Sequence, residues 1–172
     1  FDLLDLNMGC PVRKVTKRGA GAALCSAPDL AARCVDSLAR VSRFPVSAKI
    51  RILSRTDPQP TVELGRRLVD AGICALTVHG RTLDEIYSGP PAADVIRAVR
   101  DALPVPVIAN GGIMDAESAT RLRHDTGCSR IMLARGAIGN PWLFREISDP
   151  TYEGPSHEDI CTELERHVRG MI

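Results

Sequence analysis

No apolar run in the 172 residues approaches the roughly 20 that a bilayer requires, so no membrane-spanning helix is expected. Aromatic residues make up only 3%, and the basic stretch from Arg13 to Arg18 has no aromatic neighbour, so a base-stacking platform is not indicated. Neither sign of charge dominates: the formal net charge is +1, which argues against nucleic-acid binding by bulk electrostatics but leaves room for a local basic patch. Six cysteines are present, yet even the nearest pair, Cys25 and Cys34, stands nine residues apart. With no C-x-x-C and no Cys/His cluster at ligand spacing, neither a disulfide framework nor a metal site is expected. Cys25, Cys34, Cys74, Cys128 and Cys161 read as small buried hydrophobes, in a reducing, cytoplasmic-type compartment. The Rossmann fingerprint G-x-G-x-x-G does not follow the first apolar run, since Gly19-Ala20-Gly21 comes only after a long basic loop, and no Walker A sequence occurs.

What is present is the composition of an ordinary α/β protein, with 44% hydrophobic and 25% charged residues, enough apolar surface to exclude disorder. The sequence opens on an apolar strand pattern without an initiator Met and ends on an amphipathic pattern without a stop signal, so both ends are expected to be cuts. Five short apolar runs predict strands at Leu3–Leu6, Val46–Ile52, Ala75–Val78, Val105–Ala109 and Ile131–Leu133. Helical periodicity lies between them: Leu30, Cys34, Leu38 and Val41 after Ser-Ala-Pro-Asp; Val62, Leu68 and Val69; Val95, Ile96, Val99 and Leu103; and Ala119 and Leu122 behind a capping Asp115. Strand–helix alternation predicts βα units and a parallel sheet, with strands apolar on both faces. Five units are too few for an eight-strand barrel of about 250 residues, while a five-stranded doubly wound sheet fits the length.

Polar residues recur where the strands end: Asn7 and Cys10, Lys49 and Arg51, His79, Asn110, and Arg135. Ligands bind at the carboxyl ends of parallel strands in open sheets and closed barrels alike, so this rim is the expected active site. Cys10 sits in a Gly/Pro-rigid turn near Arg13, Lys14, Lys17 and Arg18, where a thiol acts as nucleophile or proton donor, or is simply buried. Asn110-Gly111-Gly112 and Ala134-Arg135-Gly136 follow the last two strands, where close backbone N–H groups suit a phosphate; both are equally readable as ordinary turns. His79 and Arg81 share the rim with Lys49 and suit an anionic ring cofactor. The cations between Arg13 and Arg18 are either a solvated face or phosphate contacts. His124, His157 and His167 read as surface residues.

Taken together, Asp5-Leu6-Asn7-Met8-Gly9-Cys10-Pro11, Gly19-Ala20-Gly21-Ala22-Ala23-Leu24, Ala48-Lys49-Ile50-Arg51, Thr77-Val78-His79-Gly80-Arg81-Thr82, Val107-Ile108-Ala109-Asn110-Gly111-Gly112-Ile113 and the stretch from Ala134 to Phe144 resemble the tRNA-dihydrouridine synthases, in order and spacing. The resemblance implies a (β/α)8 TIM barrel that binds FMN, followed by a helical domain. It implies strands four to eight here, with residues 1–147 as partial barrel and 148–172 as linker and start of the helical region. An open half-barrel of that kind exposes strand edges and is prone to pairing or aggregation. It further implies reduction of the C5=C6 bond of uridines in tRNA, with NADPH supplying electrons to FMN. Cys10 would protonate C5 while the reduced flavin delivers hydride to C6, and Asn7 would position the uracil. Lys49 and His79 would contact the flavin ring, while Asn110, Gly111, Gly112, Ala134 and Arg135 would hold its phosphate. Arg51, Arg81, Lys14, Lys17 and Arg18 would serve the tRNA side. Two other readings stand beside it: another FMN-barrel oxidoreductase acting on a small molecule, and an inactive tRNA-binding fragment.

Overall fold

In the computed structural model, which describes residues 1–171, five parallel strands form one sheet in sequence order. They are β1 (Leu4–Met8), β2 (Val46–Arg51), β3 (Ile73–His79), β4 (Val107–Asn110) and β5 (Arg130–Met132). The helices are α1 (Arg13–Thr16), α2 (Pro28–Val41), α3 (Gln59–Asp70), α4 (Ala93–Ala102), α5 (Ala116–Thr126), α6 (Leu143–Ser148) and α7 (His157–Met171), with 3₁₀ turns at Gly21–Ser26 and Arg135–Ala137. Each parallel step needs a crossover, and α2, α3, α4 and α5 supply them, one per strand pair. β1 and β5 are the sheet's two edges.

Local chemistry sets the helix ends. Pro28 opens α2, where a missing N–H costs nothing. At α5 the Asp115 Oδ1 accepts the Ser118 N–H at 2.7 Å while the Ser118 Oγ accepts the Asp115 N–H at 3.1 Å, a reciprocal cap. Gly127 ends that helix with φ +64°, a conformation other residues adopt at a cost.

Strand alternation then decides the sheet's two faces. Leu6, Ala48, Leu76 and Val107 stand in register, as do Met8, Ile50, Val78 and Ala109, and these rows pack under the helices against Val35, Leu64, Leu68, Ile96 and Val99. Each fully buried Val, Leu, Ile or Met side chain in this layer contributes roughly 1.5–3 kcal/mol, so the layer holds the sheet. The opposite face is polar, contrary to the expectation of strands apolar on both sides: Asp5, Asn7, Ser47, Lys49, Arg51, Thr77, His79 and Asn110 alternate onto it. Ser47 Oγ donates to Asp5 Oδ1 at 2.6 Å there, while Arg51 and Asn110 donate to main-chain carbonyls. The same alternation explains why β1 continues through Asn7 to Met8, beyond its apolar run.

Two cysteines differ from the buried reading. Cys74 is the extra residue at a register shift, since Val46 pairs with Ile73 and Ser47 with Ala75, and it lies exposed outside the ladder. Cys161 is exposed on α7, a helix that buries none of its residues. Cys25 and Cys128 are buried and Cys34 is half-buried, while His124, His157 and His167 are exposed. Among the described residues no helix is long and apolar enough to cross a membrane.

Candidate active site

The strand ends converge on one cavity of about 550 Å³, to which β1 brings Asn7 and Cys10, β2 Lys49 and Arg51, and β3 His79 and Arg81. β4 adds Asn110, Gly111 and Gly112, and the turn after β5 adds Ala134 and Arg135. That volume lies within the range of small-molecule and cofactor sites. Lys14, Lys17 and Arg18 lie outside this wall, exposed on and just after α1. A second hollow of about 540 Å³ at the outer edge of β5, under Phe144 and Ile147, receives none of the strand-end polar groups.

The half-buried Cys10 stands on a turn clamped at several points. Asn7 Oδ1 accepts the Gly9 N–H at 3.0 Å, and the Ala22 N–H donates to the Cys10 carbonyl at 2.9 Å. The buried Cys25 donates its S–H to the Met8 carbonyl at 3.0 Å, and burial pushes its pKa up, keeping it a donor. Cys25 therefore does more than fill space. Arg51 completes the set by donating from Nε to the Gly9 carbonyl at 2.9 Å.

Lys49, Arg51, Arg81 and Arg135 give the cavity four cationic side chains, and among the described residues no carboxylate lines it. Burial lowers the Lys49 pKa, repulsion by Arg51 lowers it further, and Asp5 opposes both. His79, 6% exposed, has its pKa pulled down from 6.5 to about 3, by burial first and then by Arg51, Lys49, Arg81 and Arg135. It is therefore neutral near pH 7. Arg81 Nη1 lies 3.3 Å from His79 Nε2, and since a guanidinium only donates, Nε2 accepts and the proton sits on Nδ1.

This fixes a pH dependence. Between about 3 and 6.5 the unfolded chain binds a proton at His79 that the folded chain does not, so stability rises with pH across that window. The contribution is fully present above 6.5 and is lost as pH falls, by at most about 1.4 kcal/mol per pH unit from this one group. Urea titrations at pH 7 and 5 are expected to show that loss, and His79→Gln to reduce it; an unchanged slope in the variant would contradict the assignment.

Asn110 spends its side-chain N–H on the Met132 carbonyl at 2.8 Å, tying the ends of β4 and β5. The next residues turn sharply, Gly111 with φ +127° and Gly112 with φ +71°. A Cβ on Gly111 would stand 3.0 Å from the His79 ring, and the N–H groups of Gly111 and Gly112 find no protein acceptor among the described residues. Donors left in this state, on the buried Gly111 and the half-buried Gly112, suit an anionic oxygen.

Arg81 is also buried, and donates to the Ser88 and Gly89 carbonyls at 3.1 and 3.0 Å. Arg51 donates to the carbonyls of Thr82 and Ile86. Both guanidiniums line the cavity while donating to main-chain carbonyls of the segment after β3. Tyr87 was not singled out by the sequence, where nothing marks an isolated tyrosine. Its ring, 53% exposed, lies 4.4 Å under the Arg135 guanidinium, linking the segments after β3 and β5 across the cavity mouth.

The sequence profile of the family described as "Dihydrouridine synthase (Dus)" matches residues 1–171. The chain is 36% identical to tRNA-dihydrouridine synthase B of Pasteurella multocida over 175 residues, covering 99% of this chain and 53% of that protein. It is 41% identical to tRNA-dihydrouridine synthase B of Pectobacterium carotovorum over 145 residues, covering 84% of this chain and 45% of that one. The chain thus spans about half the length of these curated relatives. Among solved structures it resembles 2,3-dimethylmalate lyase, with TM-score 0.60 and 15% identity over 93% of this chain and 62% of that one. It also resembles the dihydroorotate dehydrogenase DHODH of Eimeria tenella in complex with ferulenol, with TM-score 0.58 and 18% identity over 86% of this chain and 48% of that one. Both likenesses concern the fold alone, which is α/β and agrees with part of a (β/α)8 barrel.

Proposed function

The chain belongs to the dihydrouridine synthase family, and from that premise we propose that it carries the flavin-binding and proton-donating residues of an enzyme reducing uridine to 5,6-dihydrouridine in tRNA. The observation that carries the proposal is the set of four cations without a carboxylate around a half-buried thiol. FMN fits this set on two further counts. The cavity has a cofactor's volume, and the unpaired amides of Gly111 and Gly112 leave donors for a phosphate or a ring oxygen.

When bound and reduced by NADPH, FMN supplies the hydride that reaches C6 of the uracil. Cys10 gives its thiol proton to C5, so hydride and proton together saturate one C=C bond, and the thiolate regains its proton from solvent. Lys49 would neutralise charge on the flavin, and the neutral His79 would help to hold its ring. Asn110, Gly111, Gly112, Ala134 and Arg135 hold the phosphate. Asn7 shapes the Cys10 turn and positions the uracil, which must leave its stack to enter. Lys14, Lys17 and Arg18 face tRNA phosphates from outside the cavity. Residues 1–147 form the barrel part and 148–172 begin the helical region, in a cytoplasmic enzyme.

The proposal predicts a preference for FMN over riboflavin, because only FMN carries the phosphate. Arg135→Ala should weaken FMN binding by about 10–100-fold while riboflavin binding changes little, as fluorescence titration will read. Equal affinity of the unsubstituted chain for both flavins would remove the phosphate assignment.

A further inference from the structure

The segment from Thr82 to Pro90 has no strand or helix of its own and is fastened by arginines from elsewhere in the chain. Arg55 pairs with Glu85 at 2.7 Å and donates to the Pro90 carbonyl at 2.9 Å, while Glu85 accepts the Thr82 N–H at 2.7 Å. Arg81 holds the carbonyls of Ser88 and Gly89. Arg51 differs from these two in what it joins. From Nη1 it donates to the Thr82 carbonyl at 3.0 Å and the Ile86 carbonyl at 3.1 Å, and from Nε to the Gly9 carbonyl at 2.9 Å.

Gly9 precedes Cys10, and Ile86 precedes Tyr87, so one guanidinium spans the two walls of the cavity. Ile86 is also the only non-glycine residue with positive φ, at 50°, among the described residues. For a β-branched side chain that conformation is strained and persists only where its surroundings hold it. Its carbonyl is one that Arg51 binds. Arg51 is 4% exposed, and all three acceptors are neutral carbonyls, so its burial is not compensated by a carboxylate hydrogen bond. A lysine, with a point charge in place of a planar fork, does not reproduce this span.

We infer that Arg51 is a positioning residue that locks the Cys10 turn to the Ile86–Tyr87 wall, so that a disturbance of the 82–90 segment reaches the thiol through its guanidinium. The inference builds on the proposed role of Cys10 and adds a link that the flavin reading does not require.

A double-mutant cycle on the whole 172-residue chain tests it. Arg55→Gln loosens the 82–90 segment without touching the Cys10 turn. The readout is the rate of iodoacetamide modification at Cys10, followed by peptide mass spectrometry and divided by the rate at the exposed Cys74 in the same sample. With Arg51 present, Arg55→Gln is expected to change that ratio about threefold; in an Arg51→Met background the same substitution should leave it unchanged. Equal effects in the two backgrounds, or no effect with Arg51 present, overturn the inference. If Arg51→Met does not fold, Arg51→Lys serves as the second background, and the first arm still decides against the link if the ratio does not move. Flavin retention is measured on the same samples. Coupling without flavin retention refutes the cofactor reading and keeps the link, while retention without coupling does the reverse.

Discussion

On the proposed function, Cys10→Ala in a full-length version of the protein is expected to abolish measurable dihydrouridine formation while flavin binding stays within about twofold of the unsubstituted protein. A positioned general acid contributes typically 10²–10⁴-fold, and the account offers no substitute donor for C5. Cys25 is the other thiol beside this turn, but its S–H is already given to the Met8 carbonyl and its side chain is buried. The substitution should cost little stability, because the turn is held by Asn7, Ala22, Cys25 and Arg51 through main-chain atoms of residues 8–10. Single-turnover reduction of unmodified tRNA, with flavin absorbance recorded on the same sample, separates the two effects. An active Cys10→Ala protein removes Cys10 from the mechanism, and an inactive one that has lost its flavin assigns it a different task.

Gly21→Ala should destabilise the fold by about 2–4 kcal/mol, in the range of severe single substitutions. Two causes add. Gly21 has φ +59°, which an L side chain adopts at a cost, and its Cβ would stand 2.7 Å from the Cys10 carbonyl oxygen and 2.9 Å from Val15 Cγ1. The obstruction is main chain, which cannot rotate aside as a side chain would. Relief therefore moves the Cys10 turn itself, and the substitution should also change the thiol's accessibility. Urea unfolding gives the first effect and Cys10 modification the second. Gly19→Ala is the control, since Gly19 also has positive φ, +73°, but nothing lies within 4 Å of its Cβ position. Its smaller loss, about 1 kcal/mol, measures the backbone term alone. Equal losses at the two positions would remove the packing argument.

These cases also mark where the sequence is readable. The helix-facing rows of β2, β3 and β4 are apolar and regularly spaced, so their strands stand out, and Asp115 and Pro28 announce the starts of α5 and α2. The polar residues at the strand ends were visible because parallel strands deliver their carboxyl ends to one rim, and the cavity gathers Asn7, Cys10, Lys49, Arg51, His79, Asn110 and Arg135. The face opposite the helices reads as apolar in the sequence although it is polar, because alternation is obscured where a short strand such as Val46–Arg51 carries small residues on both sides. The fastening of the cavity walls left no local signal. Arg51 meets Gly9, Thr82 and Ile86 at separations of 42, 31 and 35 residues, and all three contacts are to carbonyls that every residue possesses. Charge type alone does not show that Arg51 and Arg81 donate to main-chain carbonyls of the fold. The exposure of Cys74 depends on a register shift between two strands, which no property of the cysteine itself encodes.

The central claim is that this cavity holds FMN, and the absorbance spectrum of the purified 172-residue chain after incubation with FMN and desalting tests it most directly. The account predicts flavin bands that survive desalting and are lost on adding excess phosphate together with Arg135→Ala. A folded, colourless chain whose spectrum is unchanged by added FMN would contradict it.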